Sequence, residues 1–110
     1  AEAKLEALRA EQRRLEDQVE IELRNILLEL NIALRLMELA ALEVDQSEIM
    51  RRAEVARFER GASDFFLVNI REETAANARV RYFDAYRRTR IARANYDAAT
   101  VNLGRLGITD

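Results

Sequence analysis

Few residues in this chain are of a type that could do chemistry. Glu72 and Glu73 are the one adjacent carboxylate pair in the second half. On a helix, neighbouring positions diverge by about 100°, so the two cannot converge on one substrate or ion and read as a solvated face. Arg79, Arg81, Arg87, Arg88, Arg90 and Arg93 form a basic series, and guanidinium groups pair with phosphates. These six point around much of a helix and are interspersed with Asp84 and Asp97, which favours pairing with acidic residues of neighbouring helices over a nucleic-acid groove. Histidine and cysteine are absent from all 110 residues, which removes the usual general base, the thiol nucleophile and the nitrogen and sulfur metal ligands. The four-helix carboxylate metal centres need a Glu-x-x-His pattern that this chain lacks. No glycine-rich phosphate loop occurs either. No enzymatic activity, cofactor, metal or nucleic-acid partner is expected.

The elements that would position any functional residue are two helices. Proline is absent, and glycine occurs only at Gly61, Gly104 and Gly107, so no breaker interrupts residues 1–60 or 62–103. Charged residues at 35% beside 49% hydrophobic ones fit an ordered helical protein. The spacing predicts helices over about 4–59 and 64–102, a turn at 60–63 and a tail at 103–110, a single antiparallel hairpin filling residues 1–110. The first helix alone would be roughly 85–90 Å long, and longer than the second by about a third to a half. The apolar run from Ile21 to Val44 is broken by six charged residues, which argues against a membrane span. The chain begins at Ala1 rather than Met, so an excised fragment or processed chain is expected.

Apolar residues recur at intervals of three and four along both arms. In the first arm Leu5, Leu8, Leu15, Val19, Ile26, Leu30, Leu34, Met37, Ala41 and Val44 make one stripe, widened by Leu23, Leu27, Leu28, Ile32, Leu36, Leu39 and Ala40. In the second arm Ala76, Val80, Phe83, Ile91, Ala94, Ala98 and Val101 make one row. Ala75, Ala78, Tyr82, Ala85, Ala92, Tyr96, Ala99 and Leu103 make another beside it. Paired rows imply neighbours on more than one side. Neither arm reads as a clean heptad over its whole length, so a multi-helix wall fits better than a two-stranded coiled coil. Residues 1–60 carry a net charge of −4 and residues 61–110 one of +2, so the arms attract.

The reversal lies in Phe58-Glu59-Arg60-Gly61-Ala62-Ser63-Asp64-Phe65-Phe66. Gly61 can take the left-handed conformation that ends a helix, and Ser63 or Asp64 can cap the next one. Phe58, Phe65 and Phe66 flank the turn and staple its two sides. A reversal at the end of a long rod leaves backbone accessible at Arg60, Gly61, Ala62, Ser63 and Asp64, which makes these the candidate partner-binding residues.

From Arg57 through Glu72 the sequence resembles the second periplasmic hairpin of TolC-like outer membrane efflux proteins, as does the alanine- and tyrosine-rich stretch closing in Leu103-Gly104. The resemblance implies an α-barrel segment of a trimer, a passive conduit for exported small molecules whose tip meets a periplasmic adaptor protein. It implies a periplasmic portion of an outer membrane protein, anchored in the membrane only through regions outside these residues. Positions where some members carry gate aspartates hold Leu67 and Ile70, so no acidic ring is implied. The alternative is the helical hairpin of a periplasmic adaptor, or another self-associating coiled-coil scaffold, for which nearly equal arms would be the sign.

Overall fold

A long stretch without glycine or proline, rich in leucine, alanine, glutamate and arginine, has little alternative to a helix. The computed structural model describes residues 1–107, with α1 at Glu2–Glu59 and α2 at Phe65–Leu106, and no strand among the described residues. The 58 residues of α1 and 42 of α2 reproduce the expected inequality of the arms. Along α1, Arg24 bridges to Glu20 at 2.8 Å one turn away, an exposed pair of the kind that contributes about 0.3–0.5 kcal/mol.

The expected end of the second helix near 102 is not where it stops. Helix α2 continues through Gly104, and the glycine with positive φ is Gly107, at 70°, whose N–H donates to Gly104 O. A glycine inside a helix costs only about 1 kcal/mol, and Leu103, buried one residue earlier, anchors the last turn. Residues 108–110 of the expected tail lie outside the described residues.

The chain divides into two compact units. One is formed by residues 32–91, and the other by residues 1–31 with the described part of 92–110. In the 32–91 unit the helices are antiparallel: Glu43 pairs with Arg81, Glu48 with Arg79 and Glu54 with Arg71, so ascending numbers in α1 meet descending numbers in α2. The buried and half-buried positions alternate at three and four without a skip. On α1 they include Ala33, Met37, Ala40, Val44, Ser47, Arg51 and Glu54, and on α2 Val68, Arg71, Ala75, Ala78, Tyr82, Ala85 and Thr89. This is a heptad seam within the 32–91 unit, a regularity that the expectation of no clean heptad over the whole length of either arm did not anticipate. It escapes a search for apolar residues because serine, threonine, arginine and glutamate occupy several of its places.

Alanine dominates the seam, and Ala75 and Ala78 are fully buried. Side chains this small let the backbones come close. The proof of closeness is Thr89, whose Oγ1 lies 3.1 Å from Ala33 O on the other helix and 2.9 Å from Ala85 O on its own. A hydroxyl has one proton, so the two carbonyls share it. The large apolar residues are elsewhere: Leu36, Leu39, Leu42, Val80, Phe83 and Ile91 are all exposed. Of the two rows in the second arm, the one through Ala78 and Tyr82 faces α1, while Val80, Phe83 and Ile91 face away.

In the other unit the same spacing holds for Val19, Leu23, Ile26 and Leu30 on α1 and for Ala92, Tyr96, Ala99 and Leu103 on α2. Residues 1–18 are exposed throughout, including Leu5, Leu8 and Leu15, which were expected in the seam. The described part of α2 is too short to reach them.

Candidate partner-binding tip

The reversal is built from two complementary caps. Helix α1 ends in a Schellman arrangement: Gly61 N–H donates to Phe58 O at 2.9 Å and Ala62 N–H to Arg57 O at 2.8 Å. This needs a left-handed residue, and Gly61 has φ of 75°. A Cβ built there would meet no atom within 4 Å, so a substitution is resisted by backbone conformation rather than by crowding. Helix α2 begins with Asp64 as its cap, Oδ1 accepting from Leu67 N–H at 2.8 Å. Of the two expected capping residues, Asp64 does the capping. The Phe58 and Phe65 rings sit 6.4 Å apart across the turn, and all three phenylalanines here, Phe66 included, are exposed.

Ser63 instead turns inward, beside Glu54. Glu54 is buried at 5% exposure, with Arg57 at 3.6 Å from its own helix and Arg71 at 3.6 Å from α2. The Ser63 hydroxyl, then Arg57 and Arg71, hold the Glu54 carboxyl below the usual glutamate range, against the opposing effect of burial. Neither Ser63 Oγ nor Glu54 Oε2 closes a well-formed hydrogen bond, so the hydroxyl acts through its dipole. Arg57 also donates to Ala62 O at 3.2 Å, joining the carboxylate to the turn. One helical turn and a half back, Glu48 is likewise lowered, chiefly by its hydrogen bond from Arg51, with Arg52 and Arg79 adding to it.

The five sequence-predicted residues are thus together at the tip but unlike in role. Arg60, Gly61 and Ala62 are exposed, Asp64 is exposed but engaged as a cap, and Ser63 is half-buried facing Glu54. The expectation of free backbone at the turn needs correction. The amides of Gly61, Ala62 and Leu67 and the carbonyls of Arg57 and Phe58 already have partners within the chain. What the tip offers is therefore mainly shape and side chains: Arg60, the bare Gly61 and Ala62, and the exposed Phe65 and Phe66. Leu67 and Ile70 are also exposed, and they extend that apolar surface. The residues missed by sequence reasoning are Glu54, Arg57 and Arg71. Continuing the seam by sevens from Ala40 through Ser47 to Glu54 would have flagged a glutamate at a core position.

The arginine series is mostly internal pairing. Arg79 and Arg81 reach Glu48 and Glu43 on α1, Arg87 reaches Asp84, and Arg90 lies 5.9 Å from the centre of the Tyr86 ring. Among the described residues no group of acidic side chains is placed to hold a metal ion, and no helix is long and apolar enough to cross a membrane. Comparison with protein-family models, curated proteins and solved structures finds no match to this chain.

Proposed function

We propose that this hairpin is a tunnel-wall and tip segment of a TolC-like outer membrane efflux channel, a passive conduit that docks a periplasmic adaptor through Arg60, Gly61 and Ala62. The observation that carries the reading is the division of labour between faces in the 32–91 unit. Alanine and polar residues, with Met37, Val44, Val68 and Tyr82, fill the hairpin seam, and leucine, isoleucine and phenylalanine are turned outward on both helices. A helix apolar on its far side expects another helix there, which is what a wall supplies. Burying one such side chain is worth about 1.5–3 kcal/mol, so several together give these faces a drive to be covered. The tip sequence and its tightly capped turn support the docking role, and the reading needs no reaction. It places the segment in the periplasm as part of a trimer, with exported small molecules in the lumen.

In the intact protein, Gly61→Val tests the docking role: adaptor crosslinking and efflux should fall while trimers still form. Unchanged crosslinking would remove the tip from the interface. The heptad seam favours one second reading, a self-associating coiled-coil scaffold or the hairpin of the adaptor itself. Arms of 58 and 42 residues fit that adaptor hairpin less well than the channel.

A further inference from the structure

Ala62, in the middle of the turn, is held at both ends by one residue. The Arg57 carbonyl accepts from Ala62 N–H at 2.8 Å, and the Arg57 guanidinium donates through Nη2 to Ala62 O at 3.2 Å. The other terminal nitrogen of that guanidinium, Nη1, lies 3.6 Å from Oε2 of the buried Glu54. The second carboxylate oxygen, Oε1, faces Nε of Arg71 on α2, also at 3.6 Å. The two oxygens of one buried carboxylate are therefore divided between the turn and the opposite helix. We propose that this chain of contacts is a conformational switch: Arg57 is shared between Glu54 and Ala62 O, and the position of α2, through Arg71, sets which of the two holds it. The switch concerns the tip's own conformation and stands whether or not a partner docks there.

The direction of the switch follows from the cost of a buried charge. With Arg71 in place, Glu54 has two cations and Arg57 supplies only part of the compensation, which leaves it able to hold the turn. When α2 shifts and takes Arg71 away, one cation remains. An uncompensated buried charge costs more than an exposed hydrogen bond to a carbonyl, so the Arg57 guanidinium moves onto Glu54 and releases Ala62 O. The Arg57 and Arg71 side chains both keep part of their surface in solvent, which gives each room to move. A small slide of one packed helix along the other is thereby read out as loosening at residues 60–62.

The test is amide hydrogen exchange, read residue by residue by NMR, on the 110-residue chain as wild type, Arg71→Gln, Glu54→Gln and the double variant, with Arg79→Gln as a control. An unchanged helical circular dichroism spectrum shows that each variant still folds. Arg71→Gln should speed exchange at Gly61 and Ala62 by about threefold to tenfold, the equivalent of one hydrogen bond. Glu54→Gln removes the competing charge, so it should leave both amides within about twofold of wild type, and in the double variant it should cancel the effect of Arg71→Gln. Arg79→Gln breaks the neighbouring pair with Glu48 and should not move the turn. Three results overturn the proposal. One is no change at the turn in Arg71→Gln. Another is a turn loosened as much by Glu54→Gln, with the two effects adding, which is the mark of a static brace. The third is an equal loosening by Arg79→Gln, which is a general loss of stability.

Discussion

Two stretches of one seam, both in the 32–91 unit, are built on opposite principles. Between Ala33 and Val44 on α1 and between Ala75 and Thr89 on α2, contact is made by alanine, valine, methionine and tyrosine together with Thr89. Nearer the turn, the same heptad positions hold Ser47, Arg51, Glu54 and Arg71. The first stretch adheres by close packing, which tolerates no added volume. The second adheres weakly but favours one alignment, because a slip would take Arg71 of α2 away from the buried Glu54. Packing therefore sets the spacing of the helices, and the buried charges set their register.

That contrast can be broken at several points. The largest effect is expected in the tight stretch, where Ala75 and Ala78 have no exposed surface. Ala78→Leu should cost about 1–3 kcal/mol through overpacking, read as a lowered denaturation midpoint, and the double change with Ala75→Leu should separate the helices. Gly61→Val should cost about 1–2 kcal/mol from the left-handed backbone alone, since nothing surrounds the added atoms. Hydrogen exchange should show it as faster opening confined to the turn. Thr89→Val keeps the shape and removes the proton shared by Ala33 O and Ala85 O, a loss of about 1 kcal/mol.

The smallest effect at neutral pH concerns acid. Glu54 and Glu48 both have lowered carboxyl pKa values in the folded chain, so the unfolded chain binds more protons as acidity rises. Their stabilisation is complete above the usual glutamate range and is lost as pH falls through the lowered folded values. Thermal midpoints measured against pH should fall on the acid side, and Glu54→Gln should flatten that fall. An identical acid limb in the variant would show that Glu54 is not a stabilising charge.

Much of this was legible in the sequence. Sparse glycine and absent proline gave the two helices, and the turn was marked by Gly61 followed by Ser63 and Asp64. The two alanine rows of α2 were visible too, but nothing in their composition ranked Ala75, Ala78 and Tyr82 above Ala76, Val80 and Phe83 as the inner row. Apolarity alone points the wrong way here, because the larger residues sit outside. The seam beyond Val44 was hidden for a related reason: Ser47, Arg51 and Glu54 look like a solvated face until their spacing is counted from Ala40. At the tip, Ser63 looked like a cap and serves Glu54 instead, a role that only the three-dimensional approach of α1 to the turn creates.

The central claim is that the small-residue face is the hairpin seam and the large-residue face belongs to other helices. The natural chain has no cysteine, so paired cysteines report it directly. Ala33 with Thr89 and Leu39 with Phe83 lie at the same antiparallel register, the first pair in the seam and the second on the outward faces. Oxidising the Ala33→Cys/Thr89→Cys variant should give a disulfide within one chain at any concentration. The Leu39→Cys/Phe83→Cys variant should give none within a chain, and only bonds between chains that grow with concentration. Rapid closure of the second pair within a single chain, with the first left reduced, would contradict the account.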